Sequence, residues 1–140
     1  MRKLAFCPKC YAEIPLNAEI CPHCRTSLKD WQEKTYADRL IAALGHPLSE
    51  VRMRAIIALG WRAERGAGKP LADCTLRHPI DVIEGREIVN SLRLIRDKWS
   101  DDTWLLYLSV HHPAGVVREM AAEILREVPL CRTHGNLTHD

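Results

Sequence analysis

Four cysteines near the start of the chain, Cys7, Cys10, Cys21 and Cys24, are spaced C-x2-C-x10-C-x2-C. Two residues between the members of a pair let both thiolates of a tight turn point at one ion, and two such turns complete a tetrahedron with sulfurs about 2.3 Å from the metal. The spacing predicts one structural zinc ion. The segment between the pairs is too short to bury a core, so the metal must supply most of its folding free energy, roughly 10 kcal/mol or more. Four thiolates close the coordination sphere and leave no position for water or substrate, which argues against a catalytic metal. A redox or iron role is the rival for C-x-x-C pairs, but two pairs at this spacing without a thioredoxin-like strand–helix context favour structural zinc. His23, inside the second pair, is then superfluous as a ligand and reads as a loop residue. Cys74 lies in an apolar helical context and reads as a small buried side chain. Cys131 with His134 and His139 offers a weak second metal set, against which a disordered tail is the favoured reading.

The pairs C-P-K-C and C-P-H-C, joined by a polar loop containing Glu13, Ile14 and Pro15, resemble the short zinc-ribbon modules found at the ends of many prokaryotic proteins. In that pattern glycine commonly follows the second cysteine of each pair and eases a left-handed turn. Here Tyr11 and Arg25 stand in those places, which questions the turn geometry and not the ligands.

Beyond this segment the chain must supply a core of its own. Its 140 residues fit one compact domain with a stapled appendage, and 46% of them are hydrophobic. No apolar run approaches the roughly 20 residues of a membrane span, and the basic start MRKLAF reaches Cys7 before a signal-peptide core could form, so a soluble, cytoplasmic protein is expected. Residues 1–30 hold five Lys/Arg against three Asp/Glu, whereas residues 31–140 hold fifteen of each. A balanced surface gives no footprint of phosphate-backbone binding.

The dipeptide His-Pro recurs at 46–47, 78–79 and 112–113. The match extends further, since V-R-M-R-A-I-I-A-L from Val51 aligns without gaps with V-R-E-M-A-A-E-I-L from Val117. The middle copy has lost the Val-Arg pair and needs a one-residue insertion near Gly85. Each copy reads as helix, proline turn, helix: Thr35–Leu44 and Glu50–Arg62, Lys69–Arg77 and Asp81–Asp97, Asp102–His111 and Gly115–Val128. Proline explains the breaks, because it lacks a backbone donor and disfavours helix at the preceding residue. Thr35 with Asp38 resembles a capping box, and Gly66, Gly68 and Pro70 mark the link between the first two copies.

The segment A-L-G-H-P-L-S-E-V-R-M-R-A-I-I-A-L-G resembles the HEAT-like repeats of the phycobiliprotein-lyase type, and the resemblance spans about residues 35–128. It implies an all-α fold, a short solenoid of about three helix pairs, behind the small zinc ribbon. The domains expected are the ribbon over 1–30, the repeats over 31–130 and a polar tail over 131–140. Such repeats serve mainly as binding scaffolds, and they also occur in lyases and DNA glycosylases, so the resemblance is specific for fold and not for function.

No nucleophile, acid/base pair or open metal site stands at plausible spacing, and the recurrence of His46, His78 and His112 points to turn capping. The expectation is therefore a protein that is not an enzyme: a zinc-binding adaptor or scaffold with a protein partner of unknown identity or a second copy of itself. A nucleic-acid-binding accessory role through Lys3, Lys9, Arg25 and Lys29 is the alternative, and lyase activity is a distant third. Laying the first copy over the third places Met53, Ile57 and Trp61 on Glu119, Glu123 and Glu127. Each trio forms one helical stripe. Three glutamates mark that stripe as solvent-facing, so its apolar version is either covered, by the ribbon or by the linker around Trp31, or a docking site anchored by Trp61.

Overall fold

The computed structural model describes residues 4–29 and 35–127, so the linker around Trp31 and the tail carrying Cys131, His134 and His139 lie outside the described residues. Strands β1 (Leu4–Phe6) and β2 (Glu13–Pro15) pair antiparallel with Ala5 opposite Ile14, and Ile20 bridges to Ser27 beyond them. Six α-helices follow among the described residues: α1 (Tyr36–Ala43), α2 (Ser49–Arg62), α3 (Gly68–Arg77), α4 (Val82–Trp99), α5 (Thr103–His111) and α6 (Gly115–Arg126), with a short 3-10 turn at Arg65–Ala67 before α3. The described chain is thus mostly helical, with one small sheet.

Each helix boundary has a local cause. Thr35 accepts a hydrogen bond from the Asp38 amide and starts α1. Asp81 does the same for α4 through the Glu84 amide at 3.0 Å. Helices α2 and α4 stop where Ala63 (φ 49) and Ser100 (φ 58) turn left-handed. Gly68 and Pro70 belong to the first turn of α3 and are not part of the link before it. Proline is at ease there, since its missing N–H would have had no intrahelical acceptor.

The His-Pro turns are built from hydrogen bonds and not from conventional caps. Helices α2 and α6 lack a side-chain N-cap. In their place His46 Nδ1 accepts from the Leu48 amide and His112 Nδ1 from the Ala114 amide, each at 3.0 Å. Arg52 then donates to the carbonyls of His46 and Pro47, and Arg118 to those of His112 and Pro113. The first and third turns are one motif made twice. The middle turn departs from it: His78 Nδ1 sits 3.1 Å from the Cys74 carbonyl, and helix capping passes to Asp81. The sixth residue after each histidine is Arg52, Glu84 and Arg118 in turn. In the middle copy the charge is reversed, and the buried Glu84 receives Arg52 Nε at 2.8 Å and Nη2 at 3.3 Å.

Helix α2 packs on α4 and α4 on α6, so the three second helices lie side by side, while α5 closes against α6 and α3. Leu44, Ile56, Leu59, Leu71, Ile88 and Leu108 lie in the continuous core that this creates. Burial of each such side chain contributes about 1.5–3 kcal/mol before entropy is counted. Helices α2 and α4 come close at Gly60, where an added Cβ would meet Ser91 Oγ at 2.5 Å. Polar groups tie the layers. Ser91 Oγ donates to the Ile56 carbonyl, Trp99 Nε1 to the Ala63 carbonyl, and the buried Arg96 to the Ile124 carbonyl at the end of α6.

Candidate metal centre

The two cysteine pairs fold into matching turns. In the first, Tyr11 N–H donates to the Cys7 carbonyl at 2.8 Å and Cys7 N–H to the Ala12 carbonyl at 2.9 Å; in the second, Arg25 N–H donates to Cys21 and Cys21 N–H to Thr26. Tyr11 and Arg25 both take φ 64. The left-handed geometry that glycine would ease is thus adopted here by two non-glycine residues, at a cost of roughly 1–2 kcal/mol each.

These turns bring together all four cysteines that the sequence singles out. Their sulfurs lie within 4.8 Å of one another, with Cys7 to Cys24 and Cys10 to Cys21 both at 3.6 Å. All four are free thiols, with Cys7 and Cys21 buried against Ile14 and Leu28. Backbone amides point at the sulfurs: Lys9 and Cys10 N–H donate to Cys7 Sγ, and His23 N–H donates to Cys21 Sγ. The Thr26 hydroxyl, 3.1 Å from Cys24 Sγ, together with its amide lowers the Cys24 thiol to about 6. The Ala12 amide draws Cys10 down, but desolvation and its three sulfur neighbours push it up to about 12. Four sulfurs this close cannot all ionise without a cation among them. The donor set therefore fits a thiophilic metal with tetrahedral preference, and His23 enters only through its backbone.

Comparison with protein-family models, curated proteins and solved structures gives no match.

A second trio of ligand-type residues, Cys74, His78 and Glu84, also lies within 4.8 Å. Both Glu84 carboxylate oxygens are already taken by the Arg52 guanidinium, and the Cys74 thiol donates to Glu84 Oε1 at 3.3 Å. Burial and the Glu84 charge push the Cys74 thiol up to about 12, so it is a packed, protonated side chain. A cation there would have to displace a guanidinium. Among the described residues, no helix is long and apolar enough to cross a membrane.

The stripe on α2 faces solvent at Ile57 and Trp61, with Met53 half-buried. Trp61 is 81% exposed and Ile57 37%, while Met53 lines an open groove with Ser49, Glu50, Arg54, Asp81 and Ile83. The ribbon does not cover it; Tyr11 reaches the helical body at His46 and Ala42 instead. On α6 the equivalent Glu119 and Glu123 are exposed as well, while Glu127, also exposed, lies just past the end of the helix in extended backbone and pairs with Arg93, so the expected stripe of three is two residues long on this helix. Sequence reasoning missed Ile83, 75% exposed in the groove beside Met53, and Ile80, 93% exposed in the turn before it. Their signal was the apolar run around Pro79, which reads as a turn and hides their solvent-facing position.

Proposed function

We propose that this chain is a non-enzymatic adaptor, in which a zinc ribbon and a short HEAT-like stack present a surface to a protein partner. The zinc reading rests on four convergent sulfurs with amide donors behind them, a closed set that holds an ion without opening it to substrate. Support for the repeat reading comes from the His-Pro turns, whose hydrogen bonds recur around His46 and His112, and from the side-by-side second helices. Each histidine spends its Nδ1 on a turn hydrogen bond, which favours a structural role for it over a catalytic one.

One observation carries the binding role: an apolar stripe exposed on α2 at the position where α6 carries exposed glutamates. Contiguous apolar side chains left in water at such a position commonly mark an interaction surface. Trp61 at its edge provides a large anchor, and Met53 and Ile83 provide adaptable contact area around it. Changing Ile57 and Trp61 to glutamate reproduces the α6 pattern on α2. The double variant should retain its helical circular dichroism and its melting temperature while losing self-association by sedimentation, or capture of the partner that wild type retains. A double variant that unfolds while its folded fraction still binds would make the stripe core and move the docking surface elsewhere.

A further inference from the structure

Among the described residues, Tyr11 brings the ribbon against the helical body, at the position where a glycine would have made the easier turn. Tyr11 takes φ 64 directly after the metal-site Cys10, and its ring lies 4.1 Å from the His46 ring at a tilt of 52°. Its hydroxyl donates to the Ala42 carbonyl at 3.5 Å, in the last turn of α1. The matching residue of the other turn, Arg25, has the same φ. Two turns of one shape therefore differ in what they carry.

Helix α1 has reason to depend on this contact. It is eight residues long and none of them is fully buried, in contrast to α4, which buries nine. Helices of that length are marginal without tertiary support, and among the described residues α1 draws its own from the partly buried Leu40, Ile41 and Ala43 against the core. Its C-terminal carbonyls Ile41, Ala42 and Ala43 accept from the Leu44, Gly45 and His46 amides, and Tyr11 adds its hydroxyl at Ala42 while its ring packs, tilted, on the turn that leads into α2.

We infer that Tyr11 is a positioning residue linking metal occupancy of the ribbon to the order of α1, so that loading the four-cysteine site docks the ribbon on the first His-Pro turn and steadies the first helix pair. The linkage rests on the metal reading proposed above. Metal release unfolds the turn that holds Tyr11 left-handed, the ring leaves His46, and α1 loosens while the core around α4 stays closed. The linkage is reciprocal: whatever orders α1 also tightens the metal site.

The test is amide hydrogen exchange of the full chain, zinc-loaded and chelated, with zinc content measured on every sample. Chelation of wild type should speed exchange over 36–43 several-fold and leave the amides of Ile88 to Ile95 unchanged. Zinc-loaded Tyr11→Gly, which keeps the backbone easy and removes the ring, should hold one zinc and yet exchange α1 at the chelated wild-type rate. Tyr11→Asn, another residue that accepts left-handed backbone, should do the same. Arg25→Gly should behave as wild type, and Tyr11→Phe, which keeps the ring but loses the hydroxyl bond to Ala42, should exchange α1 between the wild-type and Tyr11→Gly rates. Zinc-loaded Tyr11→Gly with wild-type α1 protection, or wild type whose α1 ignores chelation, overturns the linkage with the metal site intact. Wild type that holds no zinc at all overturns the metal reading first and the linkage with it.

Discussion

At the scale of single residues, the three histidines of the repeat do different work despite equal spacing. His112 is buried, its Nδ1 accepting from Ala114 and its Nε2 lying 2.9 Å from Thr75 Oγ1. Since Nδ1 is an acceptor, the neutral ring carries its proton on Nε2 and donates it to the threonine hydroxyl. His112→Ala should therefore cost about 1–3 kcal/mol in urea denaturation, because it strands a buried hydroxyl, and His46→Ala should cost less, its single bond being open to water. Burial lowers the His112 pKa, so below about 6.5 the unfolded chain binds a proton that the folded chain resists. Stability is full above that value and falls as the pH drops through it, a slope that His112→Ala should flatten. Arg52 gives a sharper case. Removing it leaves the Glu84 carboxylate buried without its counter-charge, so Arg52→Ala should cost about 3–5 kcal/mol, well beyond the loss from Arg118→Ala, which holds only carbonyls of its turn.

At the scale of elements, the helices were legible because proline and periodicity mark them from both sides. The boundaries expected for the first and third copies fall within a residue or two of those observed, since His-Pro stops one helix and the amphipathic run starts the next. What the sequence withheld was pairing. The middle copy looked degenerate for lack of Val-Arg, yet Glu84 occupies the arginine position and completes a buried ion pair with the first copy. Only the three-dimensional stacking of α2 on α4 brings residues 32 apart in sequence to 2.8 Å. Tyr11 was legible as a departure from glycine but not as a contact, because its partner His46 belongs to another element. The two cores are separate as well: Ile14 and Leu28 gather around Cys7 and Cys21, while Leu44 through Ile124 form the helical core. Chelation should therefore abolish the ribbon and loosen α1, leaving most of the helical circular dichroism in place. Loss of the whole helical signal would show that the helices have no core of their own.

At the scale of the whole molecule, the chain combines a small segment built around four convergent cysteines with a self-cored helical stack, and the described surface of the stack carries an apolar stripe on α2. The charge balance over 31–140 was visible in the sequence, and so was the contrast between Ile57 and Glu123; the open groove that Ile83 adds beside Met53 was not, because it lies between helices. Everything proposed of the ribbon, including its hold on α1, depends on the four sulfurs taking one ion. Because protons compete for those thiolates, the ion should also be released as pH falls. The most direct measurement is elemental analysis of the purified chain beside a variant with serine at Cys7, Cys10, Cys21 and Cys24. One zinc per wild-type chain and none in the variant is the predicted result. Equal zinc in both would contradict the account, since the metal would then be held by other residues and the ribbon would have no staple.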